Sequence, residues 1–395
     1  MLAIQEFLRG GNTLQDVFQR FDINYTVAPD LGVVVFNYRM LSSLSDPLVA
    51  QSRGLVLEMD TWDVVAKSID AFHEPDSVLG QKDLKTFDWK SAIAIPKFDG
   101  ALVCLYCYKD QWHVSTRFSA DGNWTVWSIT SLPQSITWAQ LTQMAIEDSG
   151  YTWDSFTKAL DPEIFYTFEL CAPENRVIVV YPERRIHLVA AIQKSDLKEL
   201  DIFKLKFPKD KPPFYKVSKL EDVTALIDKN PAPHETEGFV VVDKNFKRLK
   251  VRNPLFVNMM RVKTASDDLT QLREIRMMDV NGSYQTTSGA THVTNVEVQP
   301  FSAMDIGTQT VEGKASREAL SSSSMINRVM TMCRYIRDAH QAIKSGTLSD
   351  EEKTFAEFVW AQALQLMDSG QSMSEIMDIT PEKDMRDALI RFETT

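Results

Sequence analysis

Short apolar runs punctuated by turn residues fill the first two thirds of the chain. Runs rich in β-branched and aromatic residues occur at Val33–Tyr38, Leu55–Glu58, Ala92–Ile95, Ala101–Tyr108 and His113–Thr116. Others follow at Phe165–Leu170, Val177–Tyr181, Ile186–Gln193, Phe239–Asp243 and Arg248–Val251. Asp99-Gly100, Asp121-Gly122, Tyr181-Pro182 and Lys244-Asn245 stand between them as turn signals, so each run predicts a short strand. Helical spacing of apolar residues predicts helices over Thr13–Phe21, Ser135–Glu147 and Lys219–Lys229. Strands with occasional helices, and no regular strand–helix alternation, predict an α+β class built on antiparallel sheets with flanking helices.

The pattern changes near residue 254. Residues 280–324 are rich in Ser, Thr, Gly and Asn and predict a flexible segment. Beyond it, Ile326, Val329, Met330, Cys333, Ile336 and Ile343 recur at helix spacing. Ser349 with Glu352 forms a capping-box signature ahead of Phe355, Val359, Ala363 and Leu366. The expectation is therefore two domains, 1–253 and 254–395, the second all-helical.

At 395 residues, with 44% apolar and 25% charged residues, the chain has an ordinary globular composition. No run of about 18 apolar residues exists, which excludes a membrane-spanning helix and predicts no membrane partner. The N-terminus lacks the apolar stretch of a secretion signal, and four cysteines in so long a chain fit a reducing compartment. A cytoplasmic location is expected. The net charge of −11 alone argues against a nucleic-acid binder, but charge is local: eight lysines fall between Lys194 and Lys219.

Neither GxxxxGK[ST] nor a GxGxxG after a strand occurs, so P-loop and dinucleotide sites have no support. Cys104 and Cys107 form a lone CxxC within a strand pattern, where their side chains diverge; a metal role there is disfavoured. Lys97-Phe98-Asp99-Gly100 is the feature with chemical content, since it places an amine at a strand end beside a tight turn. Alone it reads equally as a hairpin turn with a surface lysine. Its company shifts the balance. Glu237 opens an apolar strand, and thirteen positions later Lys250 and Arg252 stand two apart, on one strand face, as a two-pronged anion clamp. Glu169 adds a strand carboxylate, Arg117 a strand-end cation, and Arg53-Gly54 leads into another strand.

In order and spacing these fragments resemble the covalent nucleotidyltransferases, and among them the RNA ligases of the T-even phage tRNA-repair type. The resemblance covers roughly residues 1–260. Lys97 looks like the family's nucleophilic lysine, and Arg53-Gly54 like its upstream Arg-Gly motif. Phe168–Arg176 resembles the third motif, Glu237–Val240 the fourth and Lys250-Val251-Arg252 the fifth, while Phe36-Asn37-Tyr38 is similar to the aromatic strand that contacts the nucleotide. Three positions depart from the pattern: Arg252 replaces a lysine, Phe36 a common tyrosine, and Ala71 a phosphate-binding lysine for which Lys67 is the nearby substitute.

The resemblance implies an ATP-grasp-like ligase (nucleotidyltransferase) domain and an ATP-dependent RNA ligase in RNA or tRNA repair. Lys97 would take AMP from ATP, with like-charge repulsion from Lys250, Arg252 and Mg²⁺ (or Mn²⁺) favouring the neutral amine. Phe36, Arg53, Arg117, Glu169, Glu237, Lys250 and Arg252 would bind the nucleotide, and Glu237 the metal. The RNA would be single-stranded or a nicked loop such as a broken tRNA anticodon, its 5′-phosphate near Arg117 and the cations of 194–263. A monomer in the cytoplasm, or in host cytoplasm for a phage protein, is expected. The alternatives are a DNA ligase or capping guanylyltransferase, or a non-catalytic RNA-binding protein. Against the former stand Ala101-Leu102-Val103, where those enzymes carry an arginine, and the helical C-terminal pattern.

Overall fold

The computed structural model describes residues 1–39, 42–126, 136–229 and 236–257, with Met259, Met260 and Lys263. Residues Met1–Asn253 form one compact unit and Pro254–Thr395 a second. The flexible and helical stretches read from residues 280–395 lie outside the described residues.

The first sheet holds β1 (Ile23–Ala28), β2 (Val33–Tyr38), β3 (Arg53–Glu58) and β4 (Val64–Ala66), antiparallel and in chain order. Helices α1 (Ala3–Arg9), α2 (Leu14–Phe21) and α3 (Pro47–Gln51) cover one face. There Ile4, Leu8, Val17 and Leu48 pack on Val34, Phe36, Leu55 and Leu57. On the other face Val33, Val35 and Val56 meet Cys104, Tyr106 and Phe165 of the second sheet. Burial on both faces explains why Val33-Val34-Val35-Phe36 is a continuous apolar run.

After α4 (Val78–Leu84) the chain divides between two more sheets. β5 (Ile93–Lys97) lies in one of them. β6 (Ala101–Tyr108), β7 (Gln111–Ser115), β8 (Ile164–Cys171), β9 (Arg185–Gln193) and β10 (Glu199–Leu200) build the other, in the order β10-β9-β8-β6-β7. Its outer face is covered by α5 (Trp138–Asp148) and α6 (Trp153–Lys158), whose Leu141, Ile146 and Phe156 pack on Leu105, Phe168 and Leu188. Thr137 caps α5 by accepting from the Gln140 N–H at 3.2 Å. The chain then returns to the sheet of β5 with β11 (Tyr215–Lys216), β12 (Gly238–Val242) and β13 (Arg248–Arg252), in the order β11-β5-β12-β13. α7 (Leu220–Asp228) covers one face of it through Val223 and Ile227, which pack on Ala94, Phe239 and Val241.

Because β5 and β6 belong to different sheets, Lys97-Phe98-Asp99-Gly100 is a crossing between sheets and not the turn of a hairpin. A second expectation also fails: Val177–Tyr181 is no strand. The amides of Ile178 and Val179 donate instead to the Asp99 carboxylate, which removes them from any ladder.

Candidate active site

The third sheet brings distant residues to one level. Antiparallel register sets Gly238 opposite Lys97 on one side and Arg252 on the other, with Val240 between Ile95 and Lys250. Lys97, Lys250 and Arg252 therefore share a face. Glu237 precedes β12, and its Oε2 accepts from Lys97 Nζ at 2.5 Å. Gly238 is what permits the close approach: its φ is +132°, and a Cβ there would lie 2.3 Å from the Val251 carbonyl oxygen.

The second sheet supplies the rest. Glu169 on β8 pairs with Leu102 and His187, and its Oε1 accepts from the Gly100 N–H at 3.2 Å. Asp99 Oδ2 accepts from the amides of Ile178 and Val179 at 2.7 and 2.8 Å, while its own N–H donates to the Tyr181 hydroxyl at 2.9 Å. Gly100 lies so close to β8 that a Cβ would meet the Leu170 carbonyl oxygen at 2.3 Å. That same carbonyl accepts from Asn175 Nδ2 at 2.8 Å, and Asn175 Oδ1 accepts from the Ala172 N–H at 2.8 Å. The Phe168–Arg176 block thus delivers Glu169 and also braces the crossing that carries Lys97.

These groups act on one another. Glu169 is partly exposed yet enclosed by protein on most sides, and burial pushes its carboxyl up to about 7, opposed by Lys97 and assisted by Glu237. Burial likewise pushes Asp99 up to about 6, against the two amides that donate to it. Lys250 shifts the other way: burial lowers it first, and Arg252 adds to the effect, with smaller contributions from Lys97 and Arg53. Arg53, Lys97, Glu169, Glu237, Lys250 and Arg252 accordingly form one electrostatic neighbourhood. Lys250 is thus the amine on which burial and neighbouring cations act together, while the side chain in contact with Lys97 is the Glu237 carboxylate.

A carboxylate that the pattern did not reveal also enters. Glu74 forms an ion pair with Arg252. Neighbouring His73 bridges to Leu249, and its carbonyl accepts from the Lys250 N–H at 3.0 Å. No periodicity marks this loop, so only the fold places it beside β13. One prong of the expected clamp is therefore already held.

Arg117 Nε donates to Asn37 Oδ1 at 3.1 Å, and its guanidinium lies over the rings of Tyr38 and Phe118. With Arg53, Gly54, Ser68, Ser115 and Thr116 it lines a shallow recess that opens to solvent. The enclosed space holds little more than a water-sized group, so a nucleotide would lie mostly outside it. Two expected contacts are corrected. Phe36 is fully buried on the helix-covered face of the first sheet and cannot touch a ligand; Asn37, next to it, faces Arg117 instead. Lys67 is buried, donates to the Ser68 carbonyl at 3.2 Å and pairs with Asp70, so it is not a free substitute at Ala71.

Buried polar atoms without a partner among the described residues include Asn37 Nδ2, Arg53 Nε, His73 Nε2 and Arg252 Nε. The amide and guanidinium donors among them, on Asn37, Arg53 and Arg252, suit an anionic ligand. Among the described residues no three His, Cys, Asp or Glu side chains converge as a metal cage. A hard divalent cation held by one or two carboxylates and substrate phosphates still fits Glu237.

No protein-family profile matches the chain. Over 288 residues it is 26% identical to a protein of Autographa californica nuclear polyhedrosis virus that carries a provisional description as a bifunctional polynucleotide kinase/RNA ligase. That match takes in 70% of this chain but only 40% of the viral protein's length. Among solved structures, an archaeal ATP-dependent RNA ligase aligns at 11% identity and a TM-score of 0.47, covering 96% of this chain and 85% of that one. A Naegleria gruberi RNA ligase mutant with ATP and manganese aligns at 13% identity and a TM-score of 0.34, over 46% and 54% of the two chains. At these identities and scores no chemistry transfers from either structure.

Proposed function

We propose that this protein is an ATP-dependent RNA ligase joining 5′-phosphate and 3′-hydroxyl ends. One observation carries the reading: Lys97 sits at a sheet crossing against Glu237, with Arg252 level with it across Gly238 and Lys250 two residues along the same sheet face. The 26% identity to a viral protein described with ligase activity supports it.

Lys97 must lose a proton to solvent before it acts. Its neutral Nζ then attacks the α-phosphorus of ATP; an N–P bond forms, the bond to the bridging oxygen breaks, and pyrophosphate leaves with the electron pair. Lys250 and Arg252 stabilise the charge that develops on the phosphate oxygens, the main requirement of phosphoryl transfer. A divalent cation, Mg²⁺ or Mn²⁺ in its place, would supply charge neutralisation on the phosphates, and Glu237 would be its protein ligand. Glu169 accepts a hydrogen bond from a ribose hydroxyl, and Arg53 and Arg117 hold the nucleotide at the recess. An RNA 5′-phosphate oxygen next attacks the lysine-bound phosphorus, and the N–P electron pair returns to Lys97. A 3′-hydroxyl finally attacks the activated 5′-phosphorus, losing its proton to solvent as AMP leaves.

The substrate we assign is single-stranded or looped RNA, with broken tRNA as the specific case, and the enzyme works as a monomer in the cytoplasm. No helix among the described residues is long and apolar enough to cross a membrane. Incubation with α-labelled ATP and Mg²⁺ should leave acid-stable label on the wild type and none on Lys97→Ala. Ligation of 5′-phosphorylated single-stranded RNA should then exceed sealing of nicked DNA. Equal labelling of the two proteins would remove the nucleophile, and a preference for nicked DNA would remove the substrate class.

A further inference from the structure

The segment that leads into β11, the edge strand of the third sheet, contrasts with the acidic balance of the whole chain. From Ile202 to Leu220 there are six lysines and a single carboxylate, Asp210. Lys204 is paired with Asp201, and Lys211 donates to the Leu205 carbonyl. Lys206, Lys209 and Lys216 are exposed and form no ion pair among the described residues. Between them Phe214 and Tyr215 are 46% and 43% exposed, two of the few large apolar side chains left open to solvent. Neither ring is loose. Phe214 packs on Phe203 at 4.7 Å between centroids, and Tyr215 meets Phe239 edge-on at 5.9 Å.

Register ties the end of this strip, Lys216, to the candidate active site. Lys216 pairs with Ile93, and Ile93, Ile95 and Lys97 alternate onto one face of β5. That face continues across the sheet to Lys250 and Arg252. Lys216 therefore stands on the same face as Lys97, four residues along the strand, about 13 Å at ~3.3 Å per residue. That span corresponds to roughly two nucleotides of an extended single strand.

We infer that the strip from Lys206 to Lys216 is the track for the single-stranded RNA end that approaches Lys97. Unpaired lysines meet successive phosphates, and the half-exposed, firmly backed Phe214 ring offers a stacking platform for a base, the pairing of elements by which single strands are held without sequence preference. The choice of RNA as occupant rests on the ligase reading; the charge, the ring and the shared face do not.

The test measures binding of a fluorescent 5′-phosphorylated single-stranded RNA by anisotropy, without ATP, across a salt series. The triple variant Lys206→Ala, Lys209→Ala, Lys216→Ala should lower the slope of log affinity against log salt by about 2, at ~0.7 per phosphate contact. Phe214→Ala should weaken binding about tenfold with the slope unchanged. Lys97 labelling by ATP involves no RNA and reports that each variant is folded. A control triple, Lys82→Ala, Lys85→Ala, Lys158→Ala, removes equal charge elsewhere. Binding that falls no further in the strip variants than in this control overturns the proposal. So does equal capture of a polyglutamate peptide that the same substitutions abolish, which would make the strip a site for acidic proteins. A wild type that binds RNA through the strip but never labels with ATP would overturn the ligase reading and leave the strip standing.

Discussion

The two ends of the third sheet carry the same kind of charge in opposite surroundings. At the inner end Lys97 and Arg252 are each held by a carboxylate, and burial lowers the pKa of Lys250. At the outer edge Lys216, and in the segment leading into it Lys206 and Lys209, are exposed and form no ion pair among the described residues. Charges enclosed by protein interact through a low effective dielectric and alter one another's protonation, whereas exposed charges are screened within about a Debye length of ~8–10 Å. The inner end is thus suited to making an amine reactive and the edge to collecting a polyanion. The same residue type serves both because burial decides which property dominates.

The largest effect should come from the inner end. Lys97→Ala should cut lysine-dependent labelling with ATP by more than ~10³-fold, since no other group replaces an attacking nitrogen. A labelled band that survives this change and maps to Lys250 would instead make the more desolvated lysine the nucleophile, and the roles assigned to the two half-buried amines would exchange.

Next comes the scaffold that holds the inner end. Gly100→Ala puts a methyl group 2.3 Å from the Leu170 carbonyl oxygen, a backbone atom held in turn by Asn175. The crossing must shift, at a cost of about 3 kcal/mol, and thermal unfolding should show it as a fall in Tm. An unchanged Tm would mean that the crossing is soft and that Lys97 is not rigidly presented.

A smaller effect distinguishes the ends by pH. Burial raises Glu169 from 4.5 to about 7, so between those values the folded chain keeps a proton that the unfolded chain has released. Stability falls as pH rises through that window, opposite to the usual carboxylate. Glu169→Gln removes the dependence and keeps an oxygen to accept the Gly100 N–H. The variant should gain on wild type by on the order of 1–3 kcal/mol between pH 4 and pH 8, the lower figure reflecting partial solvent access. Parallel Tm curves for the two proteins would show that water reaches the carboxylate freely.

How much of this could be read in the sequence follows the same division. Strong local patterns were legible: Val33–Tyr38 and Ala101–Tyr108 are strands with the expected ends, and Lys250 and Arg252 share a face because a strand's period is two. Strands with little apolar content or only two residues, such as Glu199–Leu200 and Tyr215–Lys216, had no such signal and exist through pairing with β9 and β5. Val177–Tyr181 misled because Ile178 and Val179 are buried in a loop whose amides serve Asp99, while Val180 is exposed. Phe36 misled for a related reason, since the motif resemblance gives a position but not the face of the sheet on which it lies. Glu74 could not have been found, because its partner Arg252 is brought to it only by the fold.

The smallest predicted effect is the one that most directly tests the contrast between the ends. Lys216→Ala removes one exposed charge, so the ratio of wild-type to variant RNA affinity should grow as salt falls, by roughly fivefold for each tenfold dilution. Arg252→Lys at the inner end keeps its charge and alters only the geometry of the donors, so its effect on ligation should be the same at every salt concentration. The two variants need not differ in size at physiological ionic strength; they should differ in slope. If Arg252→Lys shows the salt dependence of Lys216→Ala, the inner cations are as accessible to counterions as the edge. Burial would then not be what divides the work between the two ends.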